Sequence, residues 1–211
     1  MIVGASSPVH SARIDRVVVP GVFSLDGQDF DVENNVWLVG DDDEVLVIDA
    51  PHDAAPIVAA IDGRRVTAIV LTHGHNDHIN AAVELRTATG APIWFNPADL
   101  MLWKDVHPSA LPDRPLGHCT SFDVAGTQLV SVHTPGHSPG STSLYARRLN
   151  TVFTGDTLFC GGPGATGRSH SDEPTILRSI RSRLMTLPGD TVVRTGHGSD
   201  TTIAAEMRNV C

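Results

Sequence analysis

The segment Thr72-His73-Gly74-His75-Asn76-Asp77-His78 sets three histidines and an aspartate within six positions, as His-x-His-x-Asp-His, directly after the apolar run 66–71. Imidazole and carboxylate groups without a thiolate suit zinc, iron or manganese. A polar surface loop is the alternative reading of the same residues. Asp77 could also serve as a helix cap, because a carboxylate near a helix start is favoured by unpaired N–H groups and the dipole. Three other places repeat a local grammar of β-branched run, Thr, and then a metal-competent side chain after glycine. They are Thr134-Pro135-Gly136-His137, Thr154-Gly155-Asp156 and Thr195-Gly196-His197. Glycine after such a run lets the backbone turn sharply and approach a site closely. Four strands thus deliver ligands from their ends. In open α/β architectures ligands collect beyond the carboxyl ends of strands, so one shared cleft is expected.

The elements that must position these groups alternate in period. Residues 17–19, 35–39 and 45–49 read as strands, with the acidic turn Asp41-Asp42-Asp43-Glu44 joining the last two. Residues 54–61 and 78–89 have helical spacing and flank the buried strand 66–71. A short strand at 93–95 and a short helix at 97–103 follow, and then a Pro-rich irregular stretch, 104–116, is expected as a loop at the cleft rim. Strands at 122–124, 128–133, 143–146, 151–153 and 191–194, a Gly-rich loop at 161–167 and helices at 174–185 and 201–208 complete the reading. Strands followed by helices occur in both halves.

The chain has 211 residues, enough for one domain over 1–211 with a substantial core. Its net charge of −9 disfavours nucleic acid, whose phosphates call for clustered Lys and Arg. Cys119, Cys160 and Cys211 are odd in number and widely spaced, which argues against a disulfide framework and a zinc knuckle and for a reducing compartment. Residues 1–19 show neither a signal peptide nor a membrane span, so a cytoplasmic protein is expected.

Taken together, His-x-His-x-Asp-His after a strand, a later Gly-His, a later Gly-Asp and a final Gly-His-Gly resemble the metallo-β-lactamase superfamily. Thr154-Gly155-Asp156-Thr157-Leu158-Phe159, Thr134 to Ser141 and Gly196-His197-Gly198 are similar to its glyoxalase II branch, the hydroxyacylglutathione hydrolases. The resemblance implies an αβ/βα sandwich, four layers with two mixed sheets inside and helices outside. It makes His73, His75 and His137 ligands of one divalent metal ion, Asp77, His78 and His197 ligands of a second, and Asp156 a bridge; zinc is the expected metal, with iron or manganese as alternatives. The implied reaction is attack by a metal-bridging hydroxide on a thioester carbonyl, with Asp77 and Asp156 as catalytic residues. In true β-lactamases a cysteine commonly stands in the place of Asp156 and the last histidine of the first motif is commonly absent, so the departures here favour thioesters or lactones.

The same resemblance gives Asp49, at a strand end, a role behind the ligands, although Asp49-Ala50-Pro51 replaces the family's Asp-x-Gly. Arg168, after the Gly-rich loop, is read as an anion contact for the substrate, an acyl-thiol conjugate. Full-length glyoxalase II enzymes carry a helical carboxy-terminal glutathione-binding domain, and no such domain is expected here. His10, His52, His107, His118, His133 and His170 fit no metal spacing, Cys160 is read as a buried inert thiol, and Arg178, Arg181 and Arg183 as solvent-facing. Two other activities share these motifs: a persulfide dioxygenase holding one non-haem iron through His73, His137 and Asp156, and a lactonase.

Overall fold

The computed structural model describes residues 11–210. His10, Cys211 and the start of the 1–19 stretch lie outside the described residues. Strand β1 (Arg13–Leu25) pairs along its whole length with β2 (Gln28–Gly40), and β3 (Glu44–Ile48), β4 (Arg65–Val70), β5 (Ile93–Phe95) and β6 (Arg114–Pro115) follow in that order in a six-stranded sheet. The first three strands are antiparallel and the rest parallel. The second six-stranded sheet contains β7 (Ser121–Val124), β8 (Thr127–His133), β9 (Thr142–Ala146) and β10 (Thr151–Gly155). A small ribbon of β11 (Leu158–Phe159) and β12 (Gly162–Pro163) precedes its last members, β13 (Val192–Thr195) and β14 (Thr201–Thr202). The order is β14-β13-β10-β9-β8-β7, with β10 and β13 parallel.

Period-2 geometry explains why the second half of β2 and the strand β3 are apolar without interruption, since both of their faces are buried. Along β2, Val36 and Leu38 enter one core while Trp37 and Val39 enter another. Val45 and Val47 against Leu46 and Ile48 in β3 divide in the same way. The inner core lies between the sheets, where Trp37, Leu46 and Val70 meet Phe122, Leu129, Leu144 and Phe153. Outside the first sheet pack α1 (Ala54–Ile61), α3 (Ala82–Thr89) and α4 (Leu100–Val106), through Ile57, Leu85 and Trp103. Outside the second pack α5 (Glu173–Ser179) and α6 (Ile203–Val210), through Ile176 and Ile203. The result is the expected four-layer sandwich of two mixed sheets with external helices. A one-residue slip of β2 or β3 would exchange its two buried faces, and each misplaced aliphatic side chain would forfeit part of about 1.5–3 kcal/mol.

Several boundaries differ from the sequence reading. The helix expected over 78–89 is split into α2 (Asn76–Ile79) and α3, because the Ala50 N–H donates to the His78 carbonyl and the Ala81 N–H to the Ala50 carbonyl, bonds that compete with a continuous helix. The 104–116 stretch is not at the cleft rim. It continues α4, then closes the edge of the first sheet through β6, with the Trp103 indole donating to the Ala110 carbonyl. The 174–185 helix begins one residue earlier behind an Asp172 cap and ends in a π-helical turn, Ile180–Leu184. Thr201 and Thr202 pair as β14 before α6 begins. Among the described residues, no helix is long and apolar enough to cross a membrane.

Candidate metal centre

The carboxyl ends of β4, β8, β10 and β13 lead directly into the segments that carry the predicted donors. All seven residues come together. Donor atoms of His73, His75 and His137 lie within 4.8 Å of one another, as do those of Asp77, His78 and His197. His73 Nε2 is 3.1 Å from His75 Nδ1, and His78 Nε2 is 3.2 Å from His197 Nε2. Asp156 stands between the two sets, with Oδ2 3.6 Å from His137 Nε2 and 3.4 Å from His197 Nε2, and Oδ1 3.3 Å from His78 Nε2.

The outer ring nitrogens fix which inner nitrogens carry lone pairs. His78 Nδ1 lies 2.9 Å from Asp49 Oδ2, His137 Nδ1 2.8 Å from the Ala165 carbonyl and His197 Nδ1 2.9 Å from the Glu33 carbonyl. Each of these outer nitrogens must donate, so in the neutral ring, the form that binds a metal, each Nε2 turns a lone pair inward. His137 Nε2, Asp156 Oδ1 and Asp77 Oδ1 are buried without a hydrogen-bond partner. Buried acceptors left unpaired are costly, so converging ones fit bound cations. Which residues could hold two ions is therefore plain from the donor set; the buried histidine and aspartate clusters suit a two-ion centre.

Two buried aspartates hold the ligand loops. Asp49, expected behind the ligands, also accepts from the Thr72 N–H (2.7 Å) and Thr72 Oγ1 (2.9 Å). Asp99, which the sequence reading missed, is fully buried. It accepts from the Gly74 and Gly140 N–H groups at 2.9 and 2.5 Å and from Ser138 Oγ at 2.6 Å, so it ties the His73–His75 turn to the His137 loop. A Cβ on Gly140 would fall 2.6 Å from Asp99 Cγ, which explains one glycine in the motif. Gly196 is explained similarly, since its Cβ would lie 2.2 Å from Asp156 Oδ1.

Charge divides the centre. Burial pushes the His73 imidazole well below its ordinary value, and burial together with the neighbouring His137 takes His75 to about 3. Burial opposes charge on His78 and His197 too, but Asp156 and Asp77, with Asp49 acting on His78, raise His78 well above the usual imidazole range and His197 to about 10. Against burial, the charge of His78 and contacts from His197 hold Asp77 and Asp156 below the ordinary carboxylate value.

The centre opens into a cleft of about 910 Å³, walled by β1, β2 and the 161–168 loop. Arg168 lines it, with its guanidinium carbon 4.6 Å from the Phe30 ring centre and 5.7 Å from that of Phe23. The β1–β2 hairpin forms a roof pinned at two points. Asn76, a variable position of the first motif, accepts from Ser24 N–H and donates to the Val22 carbonyl. At the tip, Asp26 accepts from Ser169 N–H (3.1 Å) and Oγ (2.6 Å).

The remaining residues follow expectation only in part. Cys160 is exposed rather than buried. Arg178 and Arg181 are exposed, as read, although Arg181 also donates to the Val210 carbonyl; the partly buried Arg183 instead donates to that of His133. His107 contacts the Ile79 carbonyl and His133 that of Pro139, both structural. His52 lies beside the centre, 2.8 Å from the buried Asn34, which in turn reaches Asp77. A sequence signal for Asn34 existed: Asn34-Asn35 are strand-disfavouring residues entering an apolar run, and buried amides there require partners.

With this geometry in place, the chain's relationships are clear. The model of the Metallo-beta-lactamase superfamily matches residues 30–197, and the chain belongs to that superfamily. It is 33% identical to the hydroxyacylglutathione hydrolase GloC of Haemophilus influenzae, over 84% of this chain and 91% of that protein. Among solved structures it is similar to the BLEG-1 B3 metallo-beta-lactamase, with a TM-score of 0.75 and 27% identity over 91% of this chain and 98% of that one. It is also similar to TTHA1623 in a di-iron-bound form, with a TM-score of 0.74 and 30% identity over the same shares, 91% and 98%.

Proposed function

We propose that this protein is a metal-dependent hydrolase of the superfamily that cleaves a thioester in a small acyl-thiol conjugate. The observation that carries the reading is Asp156, placed between two donor sets with an unpartnered oxygen, at the floor of a cleft that also holds Arg168. His73, His75 and His137 would hold one ion, Asp77, His78 and His197 the other, and Asp156 both. Two divalent ions, zinc foremost, supply activation of water at neutral pH and polarise a carbonyl oxygen.

The protein's own groups define the rest. Asp49, Ala165 and Glu33 orient the imidazoles, and the buried setting excludes competing water from their inner nitrogens. Arg168 presents a cation to an anionic group of the substrate, while Phe23, Phe30 and Phe159 give apolar contact to its chain. Every histidine among the described cleft-lining residues belongs to the two donor sets. That arrangement suits a thiolate, a leaving group that needs little help from an acid. The similarity to the Haemophilus influenzae hydroxyacylglutathione hydrolase supports the same class. The exposed free thiols of Cys119 and Cys160 suit a reducing, cytoplasmic setting.

Metal analysis of the purified chain, with assays on an acyl-glutathione, a lactone and a thiol persulfide under an oxygen electrode, tests the proposal. Two ions per chain with thioester cleavage is the expected result. One iron with oxygen uptake on the persulfide overturns it, and preferential lactone cleavage moves the substrate class.

A further inference from the structure

Asn34 is fully buried at the point where β2 meets the His197 loop, to which it is joined by an isolated bridge. Its Nδ2 is 3.1 Å from Asp77 Oδ2, 3.2 Å from His78 Nε2 and 3.4 Å from His197 Nε2. Those three donors are separated from each other by 3.2, 3.3 and 3.7 Å. The amide nitrogen is therefore the fourth corner of a nearly regular tetrahedron, yet an NH₂ group has no lone pair to offer a metal. It closes one face of the triad.

The direction of this amide is dictated from behind. The His52 backbone N–H donates to Asn80 Oδ1, which leaves the Asn80 NH₂ as the group facing His52 Nδ1 at 3.5 Å. His52 Nδ1 is then the acceptor and Nε2 the donor, and Nε2 lies 2.8 Å from Asn34 Oδ1. With its oxygen so engaged, Asn34 must turn Nδ2 toward Asp77. The arrangement is built into the backbone as well: His52 adopts a left-handed φ of 51°, and its ring fills the place where a Cβ on Gly21 would stand, 2.2 Å from His52 Cγ.

We infer that Asn34, locked through His52 and Asn80, is the positioning residue of the Asp77–His78–His197 metal position, tethering Asp77 Oδ2 so that this carboxylate and the two imidazoles keep one geometry. This rests on the two-ion reading above. Loss of the tether frees Asp77 to rotate, and outer partners of this kind change metal affinity by about 10–100-fold.

The test is stepwise removal of cobalt from the fully cobalt-loaded chain by a chelator, followed by the visible absorption of the ion and by metal content. Wild type should yield two separable steps. Asn34→Ala should weaken one ion about 10–100-fold and leave the other within about threefold. His52→Leu should act in the same direction, and His52→Gln, whose amide can still donate to Asn34 Oδ1, should restore wild-type retention. Equal retention of both ions in Asn34→Ala and His52→Leu overturns the inference, as does a His52→Gln as weak as His52→Leu, which would make the effect one of packing. If Asn34→Ala does not fold, the two His52 variants decide. A wild-type chain that binds a single ion refutes the two-ion reading instead.

Discussion

Replacing Asp49 by asparagine isolates the contribution of one buried carboxylate without changing shape. Asp49 is 2% exposed and sits at φ 65°, a left-handed conformation that asparagine also adopts readily, so backbone strain is not the variable. Two donors cannot be reversed cheaply: the Thr72 N–H at 2.7 Å from Oδ1 and His78 Nδ1 at 2.9 Å from Oδ2. An amide offers one oxygen, so its NH₂ must face one of them. Facing Thr72, it leaves a buried N–H unpaired, at a cost of about 1–3 kcal/mol in stability. Facing His78, it forces the ring to the other tautomer, which removes the inward lone pair and weakens the ion at Asp77–His78–His197 by about 10–100-fold. Chelator competition reads the second outcome, and urea unfolding of the metal-depleted protein reads the first. Metal affinity within about twofold of wild type, together with stability within about 0.5 kcal/mol, would falsify the assignment of Asp49 as the orienting group.

Asp99→Ala strands the buried N–H groups of Gly74 and Gly140, at about 1–3 kcal/mol each, and should lower the unfolding midpoint while loosening the His73–His75–His137 set; an unchanged melt with full metal content contradicts this. Arg168→Ala should raise KM with kcat nearly preserved if the guanidinium contributes uniform binding to an anionic substrate group, and unchanged kcat/KM dismisses the contact. The raised values of His78 and His197, the latter about 10, mean that both imidazoles are protonated near neutrality without metal, whereas His73 and His75 are already neutral. A ligating imidazole must shed its proton, so affinity at the Asp77–His78–His197 set should climb as pH rises from neutrality toward the His197 value of about 10, with proton release seen by calorimetry in buffers of differing ionisation enthalpy. Equal proton release for both ions would contradict that division.

The layers of the fold were legible because the central strands β3, β4, β9 and β10 and the second half of β2 are buried on both faces, which writes apolar runs into the sequence, while β7 and β8 alternate. Helix α1 falls where spacing put it, since Asp53 caps it and Ile57 and Ile61 face the core. The seven donors were legible because local motifs carry them. What escaped is made by tertiary register alone. Asp99 sits at the start of α4, where an acid is ordinary, and nothing local says that two distant glycine N–H groups converge on it. The break between α2 and α3 is equally non-local, since it depends on the Ala50 backbone reaching His78 and Ala81. Asn34 and His52 acquire roles only when β2 is laid against the His197 loop.

The hairpin over the cleft is held at both Asn76 and Ser169. Because Asn76 lies between His75 and Asp77, that roof is fastened to the donor segment itself, so any displacement of the hairpin pulls on the backbone that carries the ligands beneath.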